Sequence, residues 1–83
     1  MRRRTYDDPV QVQIRGDMLT HFRWADDLYE VTALLKMIAV RDPRGGVETQ
    51  LWQVAAQAGA ARTGTYEIRC DHGRWRLAAI WGN

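Results

Sequence analysis

Between Thr65 and Trp81, polar and apolar positions alternate with a period of two, the mark of half-buried strands. Tyr66, Ile68 and Cys70 alternate with Glu67 and Arg69, and Trp75, Leu77, Ala79 and Trp81 alternate with Arg76, Ala78 and Ile80. Opposed residues of an antiparallel pair share a sheet face, so the connecting loop must set apolar against apolar. A two-residue turn at His72-Gly73 does so, pairing Cys70 with Trp75, Ile68 with Leu77 and Tyr66 with Ala79; a three-residue loop sets Cys70 against Arg74. The expected inner face is Tyr66, Ile68, Cys70, Trp75, Leu77, Ala79 and Trp81. On the outer face Arg69 falls opposite Arg76, with Glu67, Asp71 and Arg74 close by.

Further strands are legible upstream. Residues 1–8 read as a flexible basic arm, and residues 9–83 as a single small β domain. Val10, Val12 and Ile14 alternate with glutamines and Arg15, giving one buried face after Pro9. Gly16-Asp17 and Asp26-Asp27 read as turns around a strand near Leu19 to Trp24, in which Thr20, Phe22 and Trp24 share a face. From Thr32 to Val40 two patterns compete. A strand aligns Tyr29, Val31, Ala33, Leu35, Met37 and Ala39, and a short helix aligns Val31, Leu34, Leu35 and Ile38; the strand is favoured. Asp42-Pro43-Arg44-Gly45-Gly46 is the clearest loop. It leads to a strand around Thr49 to Ala56, with Trp52 and Val54 inward, and then to a flexible Gln57–Gly64 connection. The expected fold is all-β, an antiparallel meander of five or six strands forming a half-open SH3-like barrel or a strongly bent sheet.

Composition narrows the class. With 83 residues the chain makes one small domain, and its four tryptophans are the natural source of a core. A lone cysteine, Cys70, excludes an internal disulfide and makes a reduced, cytoplasmic setting the default expectation. No apolar run approaches the ~20 residues of a membrane span, and no apolar segment follows Arg2-Arg3-Arg4 as in a signal peptide. The formal net charge is +2, carried by eleven arginines against one lysine, Lys36. Such arginine richness fits either phosphate contact or the codon usage of a GC-rich genome.

Catalytic groupings are missing. Cys70 and His72 are the only close pair of soft or imidazole donors, and no spacing matches a zinc site. The same two residues do not make a nucleophile and base, because the thiol belongs to the core and the histidine to the turn. Asp7-Asp8 and Asp26-Asp27 sit where turns favour aspartate, and Gly45-Gly46 lacks the lysine of a phosphate loop. The chain is therefore expected to be no enzyme and to use no cofactor or metal. Two binding roles remain. One is protein docking through a sheet edge or through Leu19, Leu51 and Ile80 on the outer faces. The other is weak nucleic-acid or anion binding by Arg69, Arg74 and Arg76, with Arg2, Arg3 and Arg4 from the arm.

Asp8-Pro9-Val10-Gln11-Val12, Phe22-Arg23-Trp24, Leu28-Tyr29-Glu30-Val31, Leu51-Trp52-Gln53-Val54, Thr65-Tyr66-Glu67-Ile68 and Trp75 to Trp81 together resemble a family of small uncharacterised actinobacterial proteins. The succession is also similar to the C-terminal segment of the inactive Y-family polymerase homologue of the bacterial damage-induced mutasome. The resemblance implies a small β domain and a setting in DNA-damage tolerance. It implies no functional residues. Members of the family often carry a tryptophan-containing stretch after the third strand, whereas Leu34 to Gly46 contains none.

Overall fold

The computed structural model describes residues 2–41, 43–44, 46, 48–60 and 62–82, the side chain of Glu48 excepted. Seven strands form one antiparallel sheet: β1 (Arg2–Pro9), β2 (Gln11–Arg15), β3 (Met18–Trp24), β4 (Asp27–Arg41), β5 (Glu48–Ala58), β6 (Arg62–Asp71) and β7 (Arg74–Gly82). No helix occurs among the described residues. The all-β expectation holds, and Thr32 to Val40 is strand. The Asp42–Gly46 loop lies partly outside the described residues.

The strand order is β1-β7-β6-β5-β4-β3-β2. The two edge strands are therefore neighbours in sequence, separated only by Val10, whose N–H donates to the Trp75 carbonyl at 3.1 Å. No ladder joins β1 to β2, so the sheet is open. Yet a chain that must reach both edges within one residue can do so only if the sheet bends strongly. The bend brings β1 onto β3: Tyr6 meets Trp24 edge-on at 5.3 Å, and the Trp24 indole donates to Asp8 at 3.0 Å. Residues Arg2–Asp8, expected as a loose arm, are thus a paired strand. Their polar residues hid this, because an edge strand with one inward residue in two needs few apolar side chains. That addition takes the strand number from the expected five or six to seven.

Three hairpins close on two-residue turns with positive φ. In the last, His72 (φ 54°) and Gly73 (φ 77°) give the primed turn that matches strand twist. Ala25 (φ 51°) and Asp26 (φ 69°) form another, one residue earlier than the aspartate pair suggested. Gln57–Gly64, expected as a flexible connection, is instead strand on both sides of a turn at Gly59-Ala60.

Bulges decide which side chains go in. Leu19 opposes Ile14 and His21 opposes Gln13, so Thr20 is an extra residue; its hydroxyl donates to the Gln13 carbonyl. The shift turns Leu19 inward, where it is 1% exposed; Ile14 opposite it, near the end of edge strand β2, is 45% exposed. Leu19 is therefore core and not outer surface, and Ile80 likewise packs against the core. Fully enclosed Phe22, Leu19, Ile68, Leu77 and Val54 form the centre. Phe22 stacks on Tyr29 at 4.8 Å, and Tyr66 packs against both rings.

In the anchoring hairpin the predicted register holds from the turn to Ile68–Leu77 and then slips. Ala79 opposes Glu67 and Ile80 opposes Tyr66, so Ala78 is the extra residue and Tyr66 does not pair with Ala79. Beyond it Trp81 changes face and lies outside with Glu67. Ala79, also on that side, is fully buried but apart from the main cluster.

Candidate functional site

The outer face of β6 and β7 carries the predicted arginines. Arg69 opposes Arg76 and Asp71 opposes Arg74, as the turn requires. Arg69, Arg74 and Arg76 line one open cleft of about 360 Å³ together with Asp71 and His72. Part of this charge is already matched. Arg76 donates to the carbonyl (3.0 Å) and carboxylate (3.3 Å) of Asp7, while Asp71 accepts from Thr49 and lies 3.4 Å from the His72 ring. The N-terminal arginines do not join them. Arg76 pairs with Pro9, whereas Arg2, Arg3 and Arg4 pair with Gly82, Trp81 and Ile80, some 20 Å along the strand at ~3.3 Å per residue.

Arg3 has a different role. Its guanidinium donates to both oxygens of Glu67, at 2.9 and 3.2 Å, and lies over the Trp81 ring, whose indole N–H donates to the same carboxylate. Glu67 is 5% exposed, the only buried charged residue among those described. The hydrogen bonds from Arg3 hold its carboxyl below the usual range against the opposing effect of burial, with Trp81 adding to them. Sequence reasoning missed this clamp because it placed Trp81 inside. The available signal was the run Leu77-Ala78-Ala79-Ile80-Trp81, where alternation ceases and the register is no longer specified. Beside the clamp, Lys36, Ile38, Leu51 and Gln53 wall a groove of about 230 Å³.

The third feature is β4 itself. It pairs with β3 only from Asp27 to Glu30, and with β5 along almost its whole length. From Val31 to Arg41 its other edge has no neighbouring strand among the described residues. Bulges at Thr32 and Leu35 carry this half away from β3. On the far side, Met37 opposes inward Trp52 and Ile38 opposes Leu51, so β4 presents both faces. Leu34, Leu35, Met37, Ile38 and Val40 are exposed by 39–61%. The apolar patch thus lies on β4, not on Leu19 and Ile80, and Leu51 contributes only at its margin.

Neither chemistry weighed for Cys70 is assembled. The thiol is half-buried, and burial pushes its pKa up, while His72 sits in the exposed turn beside Asp71. Among the described residues no three His, Cys, Asp or Glu side chains converge on a metal position.

No family model, curated protein or solved structure matches this chain.

Proposed function

We propose that this chain is a non-enzymatic docking domain that binds a protein partner through the free half of β4. The observation that carries the reading is a long strand whose stretch from Val31 to Arg41 is, among the described residues, paired on one side only, with five large apolar side chains in water. Folded chains blunt such edges with charge, proline or a covering element. Here β1 and β2 carry charges or glutamines at their edges, and β4 carries aliphatic residues. A partner supplies a strand, main-chain hydrogen bonds give the affinity, and alternate side chains give the specificity. The family resemblance adds DNA-damage tolerance as the setting.

The test is selection of extended peptides from a displayed library, followed by backbone amide mapping. Binders are expected to shift the amides of Val31 to Arg41 and to be lost with Ile38→Lys. Absence of any binder, or binders that map elsewhere, refutes the reading.

A second reading is weak nucleic-acid binding, favoured by the convergence of Arg69, Arg74 and Arg76 on one cleft. Oligonucleotide titration at low and moderate salt tests it, since phosphate contacts weaken steeply with salt. No binding at low salt ends it.

A further inference from the structure

We propose that the groove beside Trp81, on the outer face of the sheet, binds a small organic acid: one carboxylate on a short apolar body. The site goes beyond the docking reading and does not use the free edge of β4. Its frame is a row of directly opposed residues, in which Lys36 pairs with Gln53 and Gln53 with Glu67. Opposed side chains share a face with Cβ atoms about 4.5–5.5 Å apart, so these three stand side by side. In the next row Ile38 opposes Leu51, which gives the groove its apolar floor. Arg3 and Trp81 complete the wall around a volume of about 230 Å³.

The charges select the sign of the ligand. Glu67 is fully engaged: one oxygen accepts from Nη2 of Arg3, and the other from Nε of Arg3 and the Trp81 indole. With that carboxylate 5% exposed and Arg3 neutralised by it, neither charge is left for a ligand. Lys36 has no ion pair and Gln53 no side-chain hydrogen bond among the described residues. One positive charge and one unused amide are therefore adjacent in the groove. A carboxylate matches both, one oxygen accepting from the ammonium and the other from the amide N–H, and hydrogen bonds to ionised groups are the stronger kind. A phosphate monoester brings nearly two negative charges, and the groove has no second free cation to meet them.

Size sets the body. A volume of 230 Å³ lies below the roughly 300–1,000 Å³ of sites that enclose drug-sized molecules. A short hydrocarbon chain or a single ring fills it, lying on Ile38 and Leu51 and against the Trp81 indole. Burial of that body adds to the affinity. The clamp contributes by fixing the indole through Glu67 and Arg3 before any ligand arrives, so little ordering is left to be done on binding.

The experiment titrates hexanoate into isotope-labelled protein, followed by amide and indole N–H spectra, with hexanamide as a neutral control of the same shape. Hexanoate is expected to shift the backbone amides of Lys36, Leu51 and Gln53, the Gln53 side-chain amide and the Trp81 indole N–H. A Kd on the order of 1 mM suits so small a ligand. Hexanoate should bind at least about 5-fold more tightly than hexanamide, the difference made by one charge-assisted hydrogen bond. Lys36 is exposed, so Lys36→Met should leave the rest of the spectrum in place while abolishing that preference, and Lys36→Arg should retain it. Absence of shifts at about 20 mM hexanoate, twenty times the expected Kd, overturns the proposal. So do shifts that map outside the groove, equal affinity for acid and amide, or a preference that survives Lys36→Met.

Discussion

Replacing Phe22 and Met37 by alanine, one at a time, separates the part of the apolar surface that stabilises this fold from the part left for a partner. Phe22 is wholly enclosed between Tyr29 and Tyr66. Its ring has no route to water, and neighbours tied into a seven-strand ladder cannot collapse into the space. Phe22→Ala should therefore cost about 3–5 kcal/mol, transfer and cavity together. The whole domain has roughly 4–12 kcal/mol at the usual ~0.05–0.15 kcal/mol per residue, so this one change removes a large share. Met37 is 43% exposed. Its truncation loses about 2 kcal/mol of transfer free energy if fully buried, at ~0.8 kcal/mol per methylene, and about half that here, with no cavity because solvent fills the space. Urea denaturation followed by tryptophan fluorescence at low micromolar protein measures both, with the slope showing whether the transition stays comparable. Should Phe22→Ala not fold, Phe22→Leu gives the same ordering at a smaller cost. Equal costs for Phe22 and Met37 would refute the division into core and docking strand.

Three further outcomes follow from named contacts. Glu67 has a depressed pKa, so its contribution is present above the unfolded value near ~4.3 and is lost as pH falls through the folded value. Stability in acid titrations should drop below about pH 4.5, and Glu67→Gln should flatten that drop. Ala25 holds a left-handed conformation that asparagine tolerates better, so Ala25→Asn should raise stability by about 0.5–1 kcal/mol in the same urea assay; a loss would contradict the turn geometry. Burial raises the Cys70 pKa, so its thiol should react with an aromatic disulfide at pH 8 at least about 10-fold slower than in the urea-unfolded chain. Equal rates would place the thiol in solvent.

Local pattern alone determined much of this molecule. The all-β class, the His72-Gly73 reversal and the opposition of Arg69 to Arg76 all follow from alternation and turn chemistry, which act over a few neighbouring residues, whereas from Thr32 to Val40 strand and helix patterns competed and pairing with β5 decided for the strand. Tertiary structure decided the rest through single inserted residues. Thr20 turned Leu19 inward, Ala78 moved Trp81 outside to clamp Glu67 with Arg3, and the bulges at Thr32 and Leu35 parted β4 from β3. A bulge reverses every side chain beyond it, and where consecutive residues are all apolar, nothing in the pattern marks its place. The position of β1 depended on a partner strand at the opposite end of the chain, which no local reading of its arginines and aspartates could supply.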